Sequence, residues 1–345
     1  MDTEKPKDRD FVETVEGLIF CVVGYLHPPD RYTAYLKYVP DPGGRWRREG
    51  TKFARVLPYY HVSQVEGTYG LLRERYPRYL YSCPVMNITV SSVPRDSVKT
   101  YYRPRERLRS IITGGPKDEL ERKLADLTAH LCEISGLSDH DLGVTGSILI
   151  RSHSPEFSDI DLTVYGREAS TKLKRAIRES RGADNKIQPF NDEKKEEWSR
   201  SRAERFPLDF EELMGFAERR WNYGIYGGTY FSVHPVRTDE EITENYGDFT
   251  YEREGMIKGE AVIADSSESI YLPAIYRLEE ASTDRRVDDK LTEVASYEGL
   301  YCDMFKRGER VGFRGVLERV RDGEERFRVV VGGAGSRTDY MRSLS

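Results

Sequence analysis

Cysteine is scarce in this 345-residue sequence. Cys21, Cys83, Cys132 and Cys302 stand far apart with no C-x-x-C pair, so neither a zinc knuckle nor a disulfide framework is indicated, and all four read as small buried residues. No apolar run approaches the roughly 20 residues of a membrane helix. The longest near the N-terminus, residues 17–26, follows acidic residues and lies too far in for a signal peptide. These absences predict a cytoplasmic protein without a membrane partner. Histidine is equally thin: His130 and His140 have no partner at metal-ligand spacing and read as helix-surface or loop residues. Gly332-Gly333-Ala334-Gly335-Ser336 is followed by no Lys-Ser or Lys-Thr, so it reads as a flexible turn and not a phosphate loop.

What is abundant is charge, at 33% of residues, beside 38% hydrophobic residues and 23 tyrosines. That balance describes a folded chain, long enough for two or three domains. The formal charge of -5 is unevenly spread. Residues 1–110 hold 19 Lys and Arg against 13 Asp and Glu, a basic front end compatible with a polyanion.

The most informative stretch is 143–166, GVTGSILIRSHSPEFSDIDLTVYG. Asp159 and Asp161 alternate with Ile160 and Leu162, so strand periodicity puts both carboxylates on one face. Two adjacent acids repel unless a cation sits between them, and a hard ion such as Mg2+ or Mn2+ takes oxygen ligands of this kind. Upstream, Gly146 lets backbone approach a phosphate closely and Ser147 adds a hydroxyl. The two halves together read as a metal-dependent nucleotide site; an isolated Asp-x-Asp, by contrast, is usually a solvated strand end.

Gly146-Ser147 followed by Ser158-Asp159-Ile160-Asp161-Leu162 resembles the signature of the DNA polymerase beta-like nucleotidyltransferase superfamily. The fuller string is similar to predicted archaeal nucleotidyltransferases of unassigned substrate. The resemblance implies an α+β fold whose central domain, a mixed sheet with helices, moves an NMP group from a nucleoside triphosphate to a hydroxyl acceptor on nucleic acid or protein, releasing pyrophosphate. It implies Asp159 and Asp161 as catalytic metal ligands, with Gly146, Ser147, Ser158 and Arg151 on the nucleotide. Arg151 and His153 lie where family members often carry a basic residue, with a plain loop role as the alternative.

The resemblance also implies a third carboxylate on a later strand. The candidate, residues 230–236, contains no acid; Ser232 takes the position, with His234 two residues on and on the same face. Three explanations stand: His234 is a ligand, although imidazole suits softer metals better; another acid, Asp239, Asp209 or Asp265, folds in; or the site binds a nucleotide without turning it over. The last makes the chain a binding module or a structural subunit of a complex.

Around this core the reading is an N-terminal α+β domain (1–112), the nucleotidyltransferase domain (113–248) and a C-terminal small β-barrel of OB-like type (249–345). Residues 1–10 read as a frayed end, 17–25 and 32–39 as strands, and 111–116 as a linker. Trp46 among Arg45, Arg47 and Arg48, and Tyr101-Tyr102 before Arg103, Arg105, Arg107 and Arg109, are aromatic and basic strings. Each could stack bases and meet phosphates or be a solvated loop and an interdomain linker. Residues 117–137 form an amphipathic helix with Leu120, Leu124, Leu127 and Leu131 at helical spacing. Residues 192–205 read as a solvated helix or insertion. The strands 256–263, 269–278, 310–320 and 326–331 make the barrel, with Arg321-Asp322-Gly323 as one of its turns.

Overall fold

The computed structural model describes residues 4–57, 62–183, 186–287, 290–321, 325–332 and 338–344, with backbone alone at 62–63 and 182–183. Tyr59-Tyr60-His61, the turn residues Asp322 and Gly323, and Gly333 to Ser336 of the glycine-rich stretch lie outside the described residues. The chain divides into two compact units, both discontinuous in sequence. One comprises Met1–Pro58, Val93–Asn191 and Trp221–Thr243, the other Tyr59–Ser92, Asp192–Arg220 and Glu244–Ser345. The boundary expected near residue 112 therefore falls inside the first unit.

The first unit contains two sheets. In the N-terminal one the strands run in the order Trp46–Arg48, Thr51–Arg55, Arg31–Pro40, Ile19–Val22, Phe11–Thr14, Val98–Tyr102, every neighbour antiparallel. The last strand explains why 1–112 does not end in a linker: Val12 pairs with Tyr101, and the helix Pro104–Gly114 follows directly. Nor are residues 4–10, the described part of the segment before Phe11, frayed. Lys7, Asp8 and Asp10 are buried, Asp10 accepts from the Lys7 backbone and the Tyr101 hydroxyl, and Lys7 pairs with Asp239. Charge alone marks these residues as solvent-facing, whereas each is paired inside the fold.

The second sheet of this unit runs Ile187–Gln188, Tyr223–Tyr226, Thr229–Val236, Ile160–Tyr165, Leu142–Val144. Its middle pair is parallel, and the strands outside it are antiparallel to their neighbours. Parallel neighbours need a long crossover, and the helix Arg167–Ala183 lies on that path. The predicted helix is Glu119–Ser135, capped by Asp118, whose carboxylate accepts from the Glu121 amide, and stopped at Gly136. Leu120, Leu124, Leu127 and Leu131 are all buried, each worth about 1.5–3 kcal/mol of apolar burial.

The second unit holds the helix Val62–Arg75, the hairpin Leu80–Cys83 with Ile88–Pro94, the helices Asp192–Ala203 and Phe210–Arg219, and a curled sheet. In that sheet Thr250–Asp265 pairs both with Ala274–Thr283 and with Arg310–Arg321. The sheet continues through Leu291–Ser296, Glu325–Val331 and Tyr340–Ser343. A Cβ at Gly315 would sit 2.3 Å from the Val330 carbonyl oxygen, so curvature here depends on a residue without a side chain. The strand expected over 269–278 starts later, at Ala274, after a turn in which Ser269 N donates to Ser266 O. Leu291–Ser296, parallel to Glu325–Val331, has no counterpart among the expected strands, because a short run of mixed polarity carries no clear period.

Candidate functional site

Strand Ile160–Tyr165 sets the site. Ile160 and Leu162 point into the core, which turns Asp161 to the opposite face; Asp159 stands just before the strand and is exposed. The adjoining antiparallel strand Leu142–Val144 carries the chain to Thr145, whose amide donates to the Asp161 carbonyl oxygen at 2.8 Å. Gly146 follows with φ +68°, and a Cβ there would lie 2.5 Å from Asp161 Oδ2. Only glycine combines this backbone conformation with so close an approach to a carboxylate. Ser147 opens the one-turn helix Gly146–Leu149 and makes no side-chain hydrogen bond among the described residues.

Across the parallel pair, Asp161 is in register with Ser232. The Ser232 hydroxyl donates to Asp161 Oδ1 at 2.6 Å and lies 2.9 Å from His234 Nε2. Since the serine proton is directed at the carboxylate, Nε2 must supply the other hydrogen. The chain then runs His234 N–H to Ser232 O–H to Asp161, and in this arrangement Nε2 has no lone pair for a metal.

Burial by itself would raise the Asp161 pKa. The hydrogen bond and charge of His234, the charge of Lys37 and the Ser232 hydroxyl outweigh it and hold this carboxyl far below the usual range. His234 is lowered to about 4, first by burial and then by the Arg9 charge. At neutral pH it is therefore uncharged, and its hold on Asp161 there is the hydrogen-bonded chain rather than its charge. Asp159 goes the other way, to about 6: although its side chain still meets solvent, nearby protein removes part of its solvation, and the Asp161 charge adds repulsion that Arg55 only partly offsets. One ionised acid beside one poised near neutrality is what two carboxylates produce when a cation would stabilise both.

The cations whose charges reach these acids come from the N-terminal sheet and not from the motif. Lys37 and Arg55 both act on Asp161, and Arg55 acts on Asp159. Arg9 precedes the first strand, and its carbonyl accepts from the Thr145 hydroxyl at 2.8 Å. Sequence reasoning missed all three. The one signal was Lys37 itself, a lone lysine within the aliphatic and aromatic run 34–39.

Other predicted site residues are engaged elsewhere. The Ser158 hydroxyl accepts from the Ser154 amide and its own amide donates to the Ser154 carbonyl, closing the loop before the strand. Arg151 is exposed, has φ +56°, and lies near enough to Arg107 for their like charges to oppose. Asp239 pairs with Lys7 and accepts from the Lys5 amide. In the second unit Asp209 caps the helix Phe210–Arg219, and Asp265 accepts from Ser267.

His153 joins Asp118 and Glu121 in a cluster whose ligand atoms lie within 4.8 Å of one another. Its Nε2 is 2.8 Å from Asp118 Oδ2. Arg107 already supplies the cation there: it pairs with Glu121 and donates to the Ile148 carbonyl at 3.1 Å. The cluster therefore reads as a brace between two helices and the Gly146–Leu149 turn.

Most residues of the aromatic and basic strings are likewise engaged within the fold, although Arg45, Arg47 and Arg109 are exposed. Trp46 meets Tyr38 and Phe157 edge-on, and Arg45 stacks on Phe157 with its guanidinium carbon 3.5 Å from the ring centre. Arg48 pairs with Glu13 at 2.8 Å. Arg103 pairs with Glu4, and Arg105 lies 3.9 Å over the Tyr165 ring. Trp46, Arg48, Arg103 and Arg105 thus take part in packing the first unit. No helix among the described residues is long and apolar enough to cross a membrane.

The chain is 33% identical over 333 residues to the uncharacterized protein MJ1086 of Methanocaldococcus jannaschii, covering 95% of this chain and 96% of that protein. No family model matches the sequence. No solved structure matches it.

Proposed function

Because the chain belongs to the family of the Methanocaldococcus jannaschii protein MJ1086, a name that carries no activity, we propose its function from the geometry of its site: metal-dependent transfer of a nucleotidyl group from a nucleoside triphosphate to a hydroxyl acceptor. The observation that carries the reading is the docking of the Gly146 backbone against Asp161, which makes the glycine-serine turn and the acid pair one site. Asp159 and Asp161 fit a hard divalent cation, since their repulsion is otherwise relieved only in part. Mg2+ or Mn2+ held there would neutralise phosphate charge. Gly146 and Ser147 present backbone and hydroxyl to the β- and γ-phosphates. The acceptor hydroxyl would be activated by the metal or by one of the two aspartates.

A second reading, nucleotide binding without turnover, is favoured by one observation: the position beside Asp161 on the neighbouring strand holds Ser232, not an acid. The curled sheet of the second unit supports an OB-like reading of that part, with an oligonucleotide as the acceptor it would suit. The deciding experiment incubates the full chain with each labelled nucleoside triphosphate and Mg2+ or Mn2+, with and without RNA, DNA or protein, beside Asp159→Ala/Asp161→Ala. Pyrophosphate release that vanishes in the double variant supports transfer. Metal-dependent binding with no release in any arm supports the second reading.

A further inference from the structure

Lys37 sits in the middle of strand Arg31–Pro40, on the sheet that packs within the same unit as the acid pair. Its ammonium lies 4.8 Å over the Phe11 ring and close enough to Asp161 for their charges to attract. Among the described residues it makes no hydrogen bond and no ion pair. Lys37 is half-buried, so its ammonium still reaches solvent, and its three donors are not taken by any acceptor among the described residues, which leaves them to an anionic ligand.

Arg55 is exposed, and its polar interaction is with the Tyr38 hydroxyl. It rests beside Trp46 and Tyr38 at 5.2 and 5.8 Å and, among the described residues, has no carboxylate partner at ion-pair distance. Arg9, in contrast, is paired with Asp8 at 3.2 Å. Among the described residues the site therefore contains two cations without a carboxylate at ion-pair distance against two carboxylates, so an incoming polyanion does not face a net negative field even before a metal is considered.

We propose that Lys37, assisted by Arg55, is the polyphosphate anchor of this site and holds a triphosphate without a divalent metal. The anchor lies on the N-terminal sheet, outside the glycine-serine and Asp-x-Asp motif. The inference rests on the reading of the acid pair as a nucleotide site, but it makes metal a requirement for chemistry and not for binding. The ligand class is a linear polyphosphate, either free or as the tail of a nucleoside triphosphate.

The test is calorimetric titration of the full chain with inorganic triphosphate, with ATP and with adenosine, each in EDTA and in Mg2+. Lys37→Met keeps the apolar stem over Phe11 and removes the charge; Lys37→Arg restores it; thermal melting confirms that each variant is folded. The expected result is triphosphate binding in EDTA, weakened at least tenfold in Lys37→Met and largely recovered in Lys37→Arg. Adenosine alone does not bind, and ATP binding tighter than inorganic triphosphate would add a base contact to the same anchor. Triphosphate binding only in Mg2+, or equal binding by folded Lys37→Met, overturns the inference. Pyrophosphate release is measured on the same samples. Release that persists unchanged in Lys37→Met would sink this inference and leave the transferase reading intact, while Lys37-dependent binding without release would do the reverse.

Discussion

Ser232 stands directly across from Asp161 on the neighbouring parallel strand, its hydroxyl 2.6 Å from Oδ1. A carboxylate grafted there would share the cation with Asp159 and Asp161. Ser232→Asp is therefore expected to tighten Mn2+ binding about tenfold or more, followed by calorimetry or by the manganese resonance signal. Two like charges side by side would destabilise the metal-free variant, so its melting temperature should fall without metal and recover with it. Unchanged metal affinity in a folded variant would remove the acid pair from the argument for a metal site.

Gly146→Ala tests the other half of the site. The substitution places a methyl group 2.5 Å from Asp161 Oδ2 at a backbone conformation that alanine disfavours. The expected cost is about 2 kcal/mol of stability, with nucleotide binding reduced more than melting alone would explain, because the carboxylate must turn away. Gly136→Ala, at a helix C-terminus with nothing within 4 Å of the added atom, should lose comparable stability and leave binding alone.

The local part of this site was legible in the sequence, and the long-range part was not. Gly146, Ser147, Asp159 and Asp161 lie within 16 positions, and period-2 alternation is enough to orient the acids. Ser232 could be placed beside Asp161 only through the resemblance, and its hydrogen bonds to Asp161 and His234 needed coordinates. The role of Lys37 and Arg55 could not be read, even though Lys37 stood out in its strand, because it arises from one sheet packing near another more than 100 positions away in sequence. Arg103, Arg105 and Arg107 misled for a related reason: a basic run looks solvated until its partners, Glu4, Tyr165 and Glu121, are brought in from distant segments.

In the curled sheet of the second unit, Arg328 is buried between Glu318, at 2.8 Å, and the face of Tyr251, at 3.7 Å. Removing one member of a buried pair leaves the other charge uncompensated. Glu318→Met should cost about 3–5 kcal/mol in denaturant unfolding. The double variant Glu318→Met/Arg328→Met should recover much of that loss, since a pair of apolar residues carries no desolvation penalty. A double variant as unstable as the single one would mean that packing around Tyr251, and not charge, is what the pair provides.

His27 and Asp10, both in the first unit, oppose each other in acid. Burial lowers the His27 pKa to about 4 from an unfolded value of 6.5, and its Nδ1 accepts from the Thr33 amide at 3.1 Å. Folding therefore favours its neutral form, and the stability it contributes is present above pH 6.5 and lost as the pH falls towards 4. Burial raises Asp10 to about 7 from 3.8 against the hydrogen bonds from Tyr101 and the Lys7 amide. Its contribution is full below pH 3.8 and is lost as the pH rises through 7. Each amounts to a few kcal/mol, at about 1.4 kcal/mol for every tenfold change in proton affinity between the folded and unfolded chain. Between pH 4 and 6.5 the two slopes oppose, so the parent protein should show little net dependence from this pair. Asp10→Asn should expose the histidine and become more stable with rising pH over that range. His27→Gln should expose the aspartate and become less stable over the same range. Chemical denaturation of the three proteins from pH 4 to 7.5 reads both slopes, and parallel profiles for the two variants would show that neither group titrates as its surroundings dictate.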